Sequence, residues 1–109
     1  MAENAALNVY RSGFFQRQNS TSARSASRIV PFVTDLIAPK SVLDVGCGSG
    51  AWSKAFLDND VPSLRAIDGD YALASLLIDS AHFTSVNLAS FDGSLGAFDL
   101  VACIEVAEH

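Results

Sequence analysis

The sequence predicts an α/β fold in which helices flank a parallel β-sheet. Three observations carry that expectation. β-type and helical runs alternate four times along the chain. The first strand-like run stops at a glycine cluster that leads into a helix, and the last, Phe98 to Ile104, is nearly all apolar, as a strand buried on both faces requires. Such alternation argues parallel strands joined by right-handed crossovers. At 109 residues the chain holds one domain or part of one.

Taken in order, residues 1–28 form a polar lead-in rich in Ser, Asn, Gln and Arg. Within it Ala5 to Tyr10 suits a short helix, and Gln18 to Ser27 reads as adaptable. Ile29, Phe32, Val33, Leu36 and Ile37 then recur at helical spacing, with Ser27 as N-cap, Pro31 near the first turn and Pro39 as the stop. Ser41 to Val45 is the first strand. A helix fits Ala51 to Asn59, with Trp52, Ala55 and Phe56 on one face. Leu64 to Ile67 is the second strand, ending at Asp68. Tyr71 to Ile78 is helical in pattern, Phe83 to Val86 is the third strand, Asp92-Gly93-Ser94 is a loop, and Phe98 to Ile104 is the fourth strand. Residues 29–109 read as the N-terminal half of a larger domain, because the chain stops about one turn after strand four.

Composition narrows the function. Only 17% of residues are charged while 50% are apolar, which excludes disorder. Residues 1–40 carry five cationic and two acidic side chains, whereas residues 41–109 carry ten acids against Lys54 and Arg65. A body with a balance of −8 repels nucleic-acid backbones and tolerates a cationic small molecule. Two cysteines, Cys47 and Cys103, make no disulfide framework. No apolar run reaches a membrane span, and the start lacks the basic and apolar regions of a signal peptide. A reduced, soluble, cytoplasmic protein is expected, with neither nucleic acid nor membrane as partner.

The informative stretch is Leu43-Asp44-Val45-Gly46-Cys47-Gly48-Ser49-Gly50, with glycines at i, i+2 and i+4 between a strand and a helix. Gly46 permits a tight turn, Gly48 lets a ligand approach bare backbone, and Gly50 opens the helix. Dinucleotide-binding loops space their glycines differently and carry an apolar residue where Asp44 stands. A carboxylate there suits a ligand with a positive group. Asp68 ends strand two 22 residues after Gly46, where an acid can accept both hydroxyls of a ribose. Read alone, it also suits the turn Asp68-Gly69-Asp70.

Together these segments resemble the class I S-adenosylmethionine-dependent methyltransferases over residues 41–109. The resemblance rests on Val42 to Gly50, on Ala66-Ile67-Asp68-Gly69-Asp70, and on Phe98-Asp99-Leu100-Val101 running into Glu105-Val106-Ala107-Glu108-His109. It is nearest to bacterial small-molecule methyltransferases whose helix before strand one runs into Pro-Lys-Ser-Val-Leu-Asp, as Pro39 to Asp44 does here. It implies a Rossmann-like sheet ordered 3-2-1-4 with later strands missing, and S-adenosyl-L-methionine as cofactor. Gly46, Cys47 and Gly48 would line the methionine part through backbone atoms, with Asp44 near its amino group, and Gly50 would also belong to the cofactor-binding set. Asp68 would bind the ribose hydroxyls, and Gly69 after it would also be a cofactor-binding residue. Asn87 would face the adenine amino group in place of the family's usual Asp, Leu88 would turn its amide toward the ring, and Glu105 would close the methionine end.

Cys47 has no basic neighbour in sequence, so backbone contact outweighs nucleophilic chemistry. Cys103, in an apolar run, is expected in the core, His82 in solvent, and Trp52 in core packing. Glu105, Glu108 and His109 fall at i, i+3 and i+4, a pattern that holds a divalent metal in some relatives of this resemblance; no metal is expected, and His109 is the candidate base. The expected function is methyl transfer to a small-molecule or sugar-like acceptor, this chain supplying the cofactor-binding half. Two other readings are a catalytically silent cofactor-binding module acting as partner or regulator, and a nicotinamide-dependent oxidoreductase, which Asp44 and the glycine spacing disfavour. The 109 residues alone are expected to be inactive and to self-associate through an exposed strand-four edge.

Overall fold

The structure is a computed structural model that describes residues 21–91 and 95–104. Helix α1 runs through 21–37. It is followed by β1 (Ser41–Val45), α2 (Ala51–Asp58), β2 (Ser63–Asp68), β3 (Phe83–Ser85) and β4 (Leu100–Ala102). Two short 3-10 helices, Asp70–Ser75 and Ser80–His82, join β2 to β3. The four strands form one parallel sheet ordered β3-β2-β1-β4, as expected.

Register decides which residues share a face. Val42 stands level with Leu64 and Leu100, and Asp44 with Ala66 and Ala102; Phe83 pairs with Ala66. Because side chains alternate along a strand, these residues point to one side. There Val42, Leu64, Ala66, Phe83 and Ala102 meet Trp52 and Phe56 of α2 and Ala26 and Val30 of α1 in the main core. Trp52 is thus a packing residue. The start of the sheet is pinned reciprocally: the Lys40 amide donates to Asp99 Oδ2 at 2.8 Å, and the Asp99 amide to Ser41 Oγ at 2.9 Å.

The differences from expectation have physical causes. Residues 21–27 are already helical, so Ser27 is no N-cap; its hydroxyl bonds back to the Arg24 carbonyl at 2.8 Å. Pro31 consequently lies inside α1, where it offers no amide to the turn before it. The stripe that meets the sheet is Ala26, Val30 and part of Val33, small residues that let the helix approach closely. Phe32 and Leu36 lie outward, 78% and 86% exposed. The expected helix from Tyr71 to Ile78 is instead a 3-10 turn that ends at Ser75, with Leu76 extended. The chain is drawn off course there because the Leu77 amide donates to the Ser49 carbonyl at 2.8 Å.

The fourth strand is shorter than the apolar run, and it is not covered on both faces: Val101 and Ile104 are exposed. Cys103, expected in the core, lies just past the strand and is exposed. β4 is an edge of the described sheet, paired on one side only, with β1. His82, expected in solvent, is half-buried, with Nδ1 3.4 Å from the Leu64 carbonyl oxygen. The readings for Ala5 to Tyr10 and for Asp92 to Ser94 lie outside the described residues. No helix among the described residues is long and apolar enough to cross a membrane.

Candidate functional site

In a parallel sheet of this kind, ligands bind beyond the carboxyl ends of the strands. Here β1 leaves the sheet into the glycine loop, which is stapled to β2: the amides of Gly46 and Cys47 both donate to the Ile67 carbonyl, at 2.8 and 3.1 Å. The Gly50 amide closes the turn onto the Cys47 carbonyl at 2.9 Å, and the Gly50 carbonyl accepts the first α2 bond, from the Lys54 amide at 2.8 Å. Gly48 has φ +57°, left-handed backbone that glycine adopts without penalty. A Cβ built on it meets nothing within 4 Å, so the loop presents bare backbone to open space. Cys47 is buried, its thiol 3.4 Å from the Gly48 carbonyl oxygen, and its amide and carbonyl both serve bonds that hold the loop.

Asp68, at the end of β2, is only 1% exposed. Its Oδ2 accepts the Gly48 amide at 2.8 Å, and its Oδ1 accepts the Gly69 amide at 2.8 Å and the Tyr71 hydroxyl at 2.5 Å. One carboxylate therefore ties the glycine loop to the turn after β2. It also forms part of the wall of a cavity of about 440 Å³, with Gly69, Asp70, Tyr71, Ser85, Asn87 and Leu88 around it. Asn87 is exposed, and its Oδ1 accepts the Ala89 amide at 3.0 Å in a local turn. An amide oxygen has two lone pairs, so one remains for a ligand amino group, and Nδ2 keeps its donors. Ser85 donates to Asp70 across the cavity wall.

Asp44 is placed differently from its neighbours in the expected set. It is 0% exposed, lies on the core face of β1 beneath the loop, and accepts the Ser53 hydroxyl of α2 at 2.7 Å. It joins the strand before the loop to the helix after it. Replacing Ser53 by Ala deprives a buried carboxylate of a donor, at a cost of about 1–3 kcal/mol. A melting temperature several degrees lower is the expected result, and an unchanged one would dismiss this joint.

The structure thus brings Asp68, Gly69, Asn87 and Leu88 into one cavity and joins them to Gly48. Glu105, Glu108 and His109 lie outside the described residues, and no cluster of metal-ligating side chains exists among the described ones. Sequence reasoning missed Tyr71, Asp70 and Ser85. The signal for Tyr71 was its spacing: three residues after Asp68, in a glycine-containing turn, one 3-10 turn carries a side chain back over the first residue. Burial, the bond to Asp68 and the charge of that carboxylate hold the Tyr71 phenol above its usual range, so it remains a donor at neutral pH.

A vicinal diol and a flat, amino-bearing ring fit this chemistry: a carboxylate at a strand end, an amide side chain 19 residues on, and a glycine with open space before it. Residues 15–109 match the family model described as a methyltransferase domain. A ubiquinone biosynthesis O-methyltransferase of Pseudomonas paraeruginosa is 35% identical over 83 residues, covering 67% of this chain and 34% of the relative. Another, from Ralstonia nicotianae, is 32% identical over 82 residues with the same coverage. The chain spans about a third of the length of these curated relatives. The crystal structure of the plantazolicin methyltransferase BpumL, in complex with a monoazolic desmethylPZN analog and SAH, aligns with a TM-score of 0.55 at 19% identity. That alignment covers 83% of this chain and 38% of the other, and at such identity it shows a shared fold.

Proposed function

The chain belongs to the class I S-adenosylmethionine-dependent methyltransferases, and from that premise we propose that its cavity beyond β2 and β3 takes the adenosine part of S-adenosylmethionine in an enzyme that methylates a small-molecule acceptor. The observation that carries the reading is Asp68. A carboxylate at the tip of the second strand, in the wall of a 440 Å³ cavity and bonded to the glycine loop, suits a ribose held between the two segments. Asn87 lines the same cavity for the adenine edge, and Gly48 gives the sulfur-bearing chain a path along bare backbone.

When bound, the cofactor supplies a methyl group activated on a sulfonium. The chain's own part is to hold and orient: the Asp68 and Asn87 acceptors fix the nucleoside, and the stapled loop fixes the direction of the methionine arm. Such fixing lowers the entropic barrier to an in-line displacement. The names of the relatives support a hydroxyl oxygen on a small molecule as the acceptor atom, and the acidic balance of residues 41–109 supports a partner other than nucleic acid. In this reading Glu105 closes the methionine end of the cofactor, and His109 is the candidate base for the acceptor.

Calorimetric titration with S-adenosylhomocysteine and, separately, NAD tests the assignment. S-adenosylhomocysteine is expected to bind and NAD to bind at least tenfold more weakly. The reverse order overturns it. The 109 residues alone are expected to bind weakly and to transfer no methyl group; turnover by them would place the acceptor site within this chain.

A further inference from the structure

The lone pairs of Asp68 are nearly all used by the protein itself. An ionised carboxylate offers about four acceptor positions. Gly48 and Gly69 take two of them with backbone amides that belong to the loop and the turn, and Tyr71 takes a third with its hydroxyl. A sugar hydroxyl can use the fourth. A vicinal diol needs two, and of the three occupants only the Tyr71 hydroxyl sits on a side chain that can swing away.

Tyr71 is suited to that movement. It lies in a short 3-10 turn, is 53% exposed, and lines the cavity. Its ring rests over Gly69, where a Cβ would come within 2.9 Å of Cε1 and 3.0 Å of Cδ1. Gly69 has ordinary extended backbone, so its lack of a side chain is needed for the ring and not for the turn. The pair Gly69 and Tyr71 therefore places a phenol where a sugar hydroxyl would otherwise sit.

Building on the ribose reading of Asp68, we propose that Tyr71 is a specificity-determining residue: its hydroxyl stands in for one hydroxyl of the diol, and a nucleoside binds with both hydroxyls only by evicting it. Exchange of one hydroxyl for another on the same oxygen gains little. Over a sugar lacking both hydroxyls, a ribose therefore gains in wild type the one bond at the fourth position and little from the second hydroxyl. Tyr71→Phe keeps the ring over Gly69 and removes the competitor, so a ribose then gains the whole of a bond to a charged acceptor, about a tenfold effect.

The test is calorimetry with adenosine and with 2′,3′-dideoxyadenosine on wild type, Tyr71→Phe and Asp68→Asn. The expected result is adenosine bound about tenfold more tightly by Tyr71→Phe, with the dideoxy nucleoside unchanged. A change in packing alone would move both ligands together, and that result overturns the proposal. So does weaker adenosine binding by Tyr71→Phe, which would make the phenol a ligand contact. Asp68→Asn separates the premise: if it binds adenosine as wild type does, the ribose is not at Asp68 and the site reading fails first. If it weakens adenosine while Tyr71→Phe fails to tighten it, the Tyr71 proposal alone falls.

Discussion

Asp68→Ala is expected to lower affinity for S-adenosylhomocysteine at least about tenfold and to destabilise the fold by about 2 kcal/mol. Both effects come from one deletion. The carboxylate accepts the Gly48 and Gly69 amides and the Tyr71 hydroxyl, so alanine leaves two backbone donors without their acceptor. A buried donor left unmade costs about 1–3 kcal/mol, and the cavity beside Gly69 and the open space before Gly48 admit water, which favours the low end of that range. Binding suffers twice: the ribose loses its acceptor, and the glycine loop loses the bond that fixes Gly48 against β2. Asp68→Asn separates these losses, because its carbonyl oxygen can keep one amide while the charge is gone. Calorimetry on folded protein decides the matter, with circular dichroism to establish folding. Affinity equal to wild type in a folded Asp68→Ala protein would remove the ribose from this site.

Much of this architecture was legible because it depends on local pattern. The glycines of the loop follow from backbone geometry, and the alternation of runs around them leaves few topologies for a parallel sheet. Asp68 could be located by its place at the end of an apolar run. The part that could not be read depends on what each surface meets. In α1 the large apolar residues suggest the buried face, yet Ala26 and Val30 are the ones at 0% exposure because close packing on the sheet selects small side chains. Val101 and Cys103 look like core in an apolar run, but their exposure is set by which neighbours stand beside β4.

The site shows the same division. That Asp44 belongs beside the glycine loop was evident, while its direction was not: strand register turns it into the core toward Ser53. Tyr71 is a sharper case. Its residue type and spacing were visible, but the bond to Asp68 depends on a 3-10 turn that ends at Ser75 and leaves the ring over Gly69, where the sequence pattern suggested a longer helix. A helix continuing to Ile78, as the pattern suggested, would have placed these side chains on a regular helical surface.

Gly48→Val is expected to abolish the thermal stabilisation that S-adenosylhomocysteine gives, by more than its own effect on stability can explain. A branched residue at φ +57° is strained by at least about 1–2 kcal/mol, so the melting temperature of the free protein falls as well. Strain alone would leave the ligand-induced shift intact. The shift is lost because the new side chain occupies the open space before the loop, where backbone must meet the cofactor. Gly50→Ala is the counterpart. Its φ is +88°, and its Cβ would stand 3.4 Å from Ile78 Cγ1 and 3.5 Å from Cδ1, so the added methyl points into protein. It should cost stability comparably while reducing the ligand-induced shift far less. Differential scanning fluorimetry with and without S-adenosylhomocysteine measures both quantities on each variant. Equal retained shifts in the two variants would mean that the loop serves as a turn and that the cofactor lies elsewhere. A large loss in Gly48→Val beside a modest one in Gly50→Ala would locate the cofactor's path over Gly48, because both substitutions strain backbone at positive φ while only the Gly48 side chain enters the open space before the loop.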